Sequence, residues 1–162
     1  MGAYKKLTDK ICSRDVAATQ IGSWRDAGEK MVFTNGVFDL LHIGHVDYLS
    51  KASDLGTKLV IGLNADSSVK RLNKGPARPI KDQETRAVIL AALESVSLVV
   101  IFEEDTPLEL ITAFKPDVLV KGGDYNPGET DESNPKYMVG SAEVRAWGGE
   151  VAAIPFVPGH ST

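Results

Sequence analysis

Residues Gly36 to His45 read Gly-Val-Phe-Asp-Leu-Leu-His-Ile-Gly-His, and this stretch decides the fold because it joins two patterns of different period. Before it, Met31 to Thr34 is a short apolar run of strand type that ends in the turn signal Asn35-Gly36. After it the spacing becomes helical. His42 and His45 are three apart, which puts both rings on one face of a helix beginning near Gly44. Gly44 has no side chain to hold an anion off, and the helix start offers backbone N–H groups and the positive end of the dipole. The competing reading is a solvated helix start with Asp39 as its cap. The turn at the C-terminal end of a strand favours a ligand, because that is where open α/β sheets bind them. Leu40, Leu41 and Ile43 read as packing residues that fix the loop.

Outward from this point, strand-like and helical segments alternate. Strands are expected at Met31 to Thr34, Lys58 to Leu63, Leu98 to Phe102, Val118 to Lys121 and Glu150 to Ile154. Helices are expected at Arg14 to Ala27, with Val16, Ile21 and Trp24 inward, and at Gly44 to Leu55, Asp82 to Leu93, Pro107 to Phe114 and Ser141 to Trp147. Strands apolar on both faces must be covered on both faces, so the fold class is α/β, three layers with a parallel sheet between helices. Tyr125 to Lys136, rich in Pro, Gly, Asp, Glu and Asn, reads as a long mobile loop.

The chain has 162 residues, 43% hydrophobic and 25% charged, which suits a single domain over residues 1–162 with residues 1–28 as a helical extension. The apolar runs are strand length, the N-terminus lacks a secretory core, and Cys12 is the only cysteine, so a cytoplasmic protein without disulfide or membrane span is expected. A net charge of −4 argues against a general nucleic-acid binder. Charge is uneven, however: Lys70, Arg71, Lys74, Arg78, Lys81 and Arg86 face only Asp82 and Glu84 over one short stretch. Solvated surface is the plain reading, and phosphate binding the sharper one for Arg78 and Arg86. There is no Gly-x-Ser-x-Gly nucleophile and no phosphate loop of the Walker type.

The Gly36–His45 string resembles the HxGH nucleotidyltransferases. Arg-Pro-Ile at Arg78 to Ile80, Phe-Glu-Glu-Asp-Thr-Pro at Phe102 to Pro107, Leu-Val-Lys-Gly-Gly-Asp-Tyr at Leu119 to Tyr125 and Gly-Gly-Glu-Val at Gly148 to Val151 are similar to the branch that adenylylates D-glycero-β-D-manno-heptose 1-phosphate. The resemblance implies a Rossmann-like sheet in the order 3-2-1-4-5, with AMP moved from ATP to the heptose phosphate for lipopolysaccharide core synthesis. It implies His42 and His45 as catalytic donors. Asn35, Gly36, Val37, Phe38, Asp39 and Gly44 would line the nucleotide, with Gly122, Gly123 and Asp124 at the adenosine. Asn64, Lys74, Arg78 and Arg86 would meet the acceptor. Mg²⁺ is expected on the phosphates, with Asp39 fixing the loop and no protein ligand assigned, and relatives suggest a homodimer.

Three departures stand out. Relatives begin a final helix with a Ser/Thr-Thr element that holds the triphosphate, and only Ser161 and Thr162 of it are present, so the sequence is either cut short or grips weakly. Ser53 stands where a basic residue is usual, and the loop around Thr130 to Tyr137 looks inserted and able to close over the sugar. Cytidylyl transfer to glycerol 3-phosphate or a similar acceptor, and a nucleotide-binding module without turnover, are the alternatives.

Overall fold

The computed structural model describes residues 2–72 and 75–159. Five strands, β1 (Met31–Gly36), β2 (Lys58–Asn64), β3 (Leu98–Phe102), β4 (Val118–Gly122) and β5 (Glu150–Ile154), form one sheet in the order β3-β2-β1-β4-β5, every pair parallel. The helices are α1 (Ala3–Thr8), α2 (Arg14–Asp26), α3 (Ile43–Ser53), α4 (Asp66–Arg71), α5 (Gln83–Ala91), α6 (Leu108–Phe114) and α7 (Ser141–Ala146).

Strand alternation sorts the apolar residues into two cores, one on each face of the sheet. Val32, Leu59, Ile61, Leu63, Val118 and Val120 pack with Leu49 and Ala52 of α3 and Ala87 and Leu90 of α5. Met31, Phe33, Val60 and Leu119 turn the other way, onto Ala17 and Ile21 of α2, Leu110, Ile111 and Phe114 of α6 and Val144 of α7. Each such buried side chain contributes about 1.5–3 kcal/mol over leaving it in water. Among the described residues, no helix is long and apolar enough to cross a membrane.

Val16 does not face inward: it is 58% exposed. The buried stripe of α2 is Ala17 and Ile21, continued by the partly buried Trp24, a spacing of four and three residues that leaves Val16 a turn-fraction off the face. The N-terminal residues are tied into the sheet as well as covering it. Ile11 bridges Val99 in parallel register, Cys12 N–H donates to Val99 O, and Val99 N–H donates to Lys10 O. The α4 helix was not legible, being polar but for Val69, and strands β1, β2 and β4 run one or two residues beyond their apolar runs because backbone pairing continues through Asn35, Gly36, Asn64 and Gly122.

The register locates an opening. β1 and β4 pair only at Val32–Val118 and Phe33–Leu119, although β1 continues to Gly36 and β4 to Gly122. Beyond that point the two strands part. Tyr48 of α3 wedges the gap: its hydroxyl donates to Val120 O at 3.2 Å and lies 2.6 Å from Thr34 Oγ1, which must then donate to it because the single phenol proton is committed. Burial pushes the Tyr48 hydroxyl well above its ordinary range, so this wedge stays neutral.

Candidate functional site

The crevice between the parted strand tips opens into a cavity of about 960 Å³. His42, Gly44 and His45 line it, together with Asn35, Gly36, Val37, Phe38, Asp39, Asn64, Arg78 and Gly122. Residues far apart in the chain therefore share one wall.

His42 is the N-cap of α3, a position that the competing reading gave to Asp39. Its Nδ1 accepts from the Gly44 N–H at 3.0 Å, while the Nδ1 of His45, at the third helical position, accepts from the His42 N–H at 3.2 Å. This reciprocal pair is a capping box built from imidazoles. It fixes chemistry as well as conformation, because a neutral ring whose Nδ1 accepts carries its proton on Nε2. The rings lie 4.1 Å apart, tilted by 43°, and the edge of Phe38 meets His45 at 5.8 Å. Phe38 folds back at φ 49°, which Gly36 permits: a Cβ there would stand 2.8 Å from the Phe38 ring. Water reaches almost none of His42 Nε2.

Burial, with His42 alongside, holds His45 below the ordinary histidine value of 6.5. A folded-state value below the unfolded one means that the unfolded chain binds the proton first as pH falls, so stability declines below about pH 6.5. The melting midpoint should therefore drop between pH 7.5 and 5.5, and drop less in His45→Gln, whose amide can still reach back to the cap. Equal slopes in the two proteins would contradict this.

Asp39 is a loop anchor. Its Oδ2 accepts from Arg78 at 2.9 Å and from the Ile80 N–H at 2.8 Å, and its Oδ1 accepts from the Lys81 N–H at 2.8 Å. Burial alone would raise its pKa, but these donors outweigh burial and hold it below the usual carboxylate value. Arg78 stays a third exposed at the cavity wall, with this carboxylate as its partner.

Arg86, expected at the acceptor, is buried and does not line the cavity. Its side chain is 0% exposed, and its guanidinium donates to Lys81 O, Val37 O, Asn64 O and Asp66 Oδ1. It joins the histidine loop, the end of β2 and the starts of α4 and α5 into one block. Asn64 is 4% exposed on the cavity wall, its amide donating to Ser68 Oγ. Glu84 is an exposed first-turn residue, as its plain reading held. Lys74, Ser161 and Thr162 lie outside the described residues.

At the end of β4, Gly122 lines the cavity and Asp124 is exposed, while Gly123 lies beneath the ring of Phe156. The Gly123 backbone, expected at the adenosine, is thus already covered by a phenyl ring. Lys121 was missed as a site residue. Its ammonium donates to Asn35 O at 3.1 Å, lies 5.0 Å from the centre of the Tyr125 ring, and adds a cation to the cavity wall. A lysine as the next-to-last residue of the strand beside the histidine loop was the available signal. The segment from Tyr125 to Tyr137 carries hydrogen bonds of its own: Asn126, Asp131 and Asn134 each accept a backbone N–H two residues on, and Asn134 donates to Glu129. Glu132, Asn134 and Tyr137 of this segment line the cavity. Among the described residues no group of three or more His, Cys, Asp or Glu could hold a metal ion.

The cytidylyltransferase-like family model matches residues 33–144. The chain is 52% identical over 154 residues to the bifunctional protein HldE of Methylobacillus flagellatus, and 53% identical over 160 residues to that of Magnetococcus marinus. These alignments take in 95% and 99% of this chain but only 30% and 31% of the relatives, so the chain spans under a third of their length. Among solved structures, a lipopolysaccharide core biosynthesis protein from Thermoplasma volcanium superposes with a TM-score of 0.61 at 27% identity, over 80% of this chain and 98% of that one. The pantoate-beta-alanine ligase of Francisella tularensis shares the fold, with a TM-score of 0.56 at 15% identity over 90% of this chain and 66% of that one.

Proposed function

This chain belongs to the cytidylyltransferase-like family, and on that premise we propose that it moves the adenylyl group of ATP to a sugar 1-phosphate, D-glycero-β-D-manno-heptose 1-phosphate, releasing pyrophosphate and ADP-heptose. Residues 1–162 would act as one catalytic unit, with the N-terminal helices packed onto it. The observation that carries the reading is the imidazole pair: two rings 4.1 Å apart, each with Nδ1 tied to backbone, at a helix start beside the switch point of a parallel sheet. The strings shared with heptose 1-phosphate adenylyltransferases supply the acceptor, and the Thermoplasma volcanium relative's description supports a role in lipopolysaccharide core synthesis.

An oxygen of the acceptor phosphate attacks the α-phosphorus of ATP, the bond to the bridging β-phosphate oxygen breaks, and pyrophosphate leaves. That oxygen is already ionised at neutral pH, so no general base is needed. The barrier is anion repulsion plus charge on a five-coordinate phosphorus, and catalysis is alignment and electrostatics. His42 and His45 donate from Nε2 to the α- and β-phosphate oxygens, with the N-terminus of α3 behind them. Lys121 and Arg78 add positive charge at the two sides, and Glu132, Asn134 and Tyr137 offer polar groups to sugar hydroxyls. Mg²⁺ prefers phosphate oxygens and water. Among the described residues there is no cage for it, and both Asp39 oxygens are committed, so it would travel with the triphosphate and offset its charge.

Pyrophosphate release should be measured with ATP or CTP against heptose 1-phosphate and glycerol 3-phosphate. Turnover with ATP and heptose 1-phosphate well above the other three pairs is expected. Preference for CTP and glycerol 3-phosphate, or ATP binding with no release under any acceptor, would overturn the assignment.

A further inference from the structure

Phe156 follows β5 by two residues and is 54% exposed, unusual for a phenyl ring held against backbone. A Cβ on Gly123 would stand 1.9 Å from its Cε2 and 2.2 Å from its Cζ, and one on Gly122 would stand 3.2 Å from its Cε1. Gly123 is thus needed for the ring to lie there, and Gly122 leaves it room. Gly123, at φ +67°, also donates its N–H to Ile154 O at 2.8 Å, so the turn after β4 and the end of β5 are fastened together beneath the ring. The ring borders the same cavity as His42 and His45.

We propose that Phe156 is the platform on which the base of the bound nucleoside triphosphate stacks. This rests on the nucleotidyl-transfer reading and adds to it the group that holds the end of the nucleotide remote from the phosphates. With the triphosphate at the start of α3, beyond β1, the nucleoside extends across the parted tips toward β4 and β5. There it meets the phenyl ring, which has taken the place of bare glycine backbone. One side of that ring rests on the Gly122–Gly123 backbone, so little freedom remains to be lost when a base covers the other. Stacking accepts any base, so Phe156 supplies affinity and orientation, and the choice of adenine lies with other groups.

The test is calorimetric titration of ATP and of inorganic tripolyphosphate into the wild-type protein, Phe156→Ala and Phe156→Trp. Stacking is expected to show as a loss of about 10- to 100-fold in ATP affinity in Phe156→Ala, with tripolyphosphate affinity unchanged. Phe156→Trp should keep ATP affinity, and its added indole should be quenched by ATP but not by tripolyphosphate. Unchanged ATP affinity in Phe156→Ala overturns the proposal. Tighter ATP binding also overturns it and makes the ring a plug, while equal losses for both ligands make its role structural. If the wild type binds neither ligand, the nucleotidyl-transfer reading itself has failed; if it binds both and only the Phe156 outcomes disagree, that reading stands and the platform alone is wrong.

Discussion

Replacing His42 or His45 by alanine is expected to lower turnover by about 10²- to 10³-fold each, the usual cost of removing one donor aimed at transition-state charge. Alanine at position 42 also removes the cap of α3, worth about 0.5–2 kcal/mol, so part of the loss could be misread as unfolding. His42→Asn and His45→Gln separate the two effects. Asparagine is a good N-cap and glutamine can close a capping box from the third position, so both should keep the melting midpoint while losing turnover. The double replacement should cost less than the product of the singles, because both rings serve one bound triphosphate as a unit. Full pyrophosphate release in either conservative variant would remove the histidines from the chemistry.

Arg86→Ala should act on the fold rather than on substrate affinity. It leaves Asp66 and three backbone carbonyls without their common donor, and breaking a buried ion pair costs about 3–5 kcal/mol. Asp66 is itself about a third exposed, which places the expectation toward the lower end. At roughly 2–4 °C per kcal/mol for a chain of this size, the melting midpoint should fall by roughly 6–15 °C. Arg86→Lys should also destabilise, since an ammonium cannot span four acceptors in a plane. A stable Arg86→Ala protein with only a raised KM for the acceptor would restore the phosphate-binding role expected from the charge run.

The contrast between these residues shows what could be read from the chain. The strands were legible because strands covered on both faces become continuous apolar runs. The place of the histidine pair, at a junction from strand to helix, was legible from the whole string, yet its capping role was not, since that depends on how the backbone enters α3 at His42. The burial of Arg86 was not legible, because a run of lysines and arginines reads as solvated surface or as phosphate-binding. Its four acceptors come from residues 37, 64, 66 and 81, which only the folded loop gathers. Lys121 and Phe156 escaped notice for a related reason. Each is placed by a neighbour across the sheet, Asn35 for one and Gly123 for the other.

The central claim is that imidazoles 42 and 45 are neutral, hold their protons on Nε2, and offer them to a triphosphate. Long-range proton–nitrogen NMR of the histidine side chains, with and without ATP, reads this directly, and His42→Asn assigns the signals. The account predicts unprotonated Nδ1 and protonated Nε2 at neutral pH in both rings, with the Nε2 signals moving when ATP is added. Protons on Nδ1, or Nε2 signals that ignore saturating ATP, would contradict it.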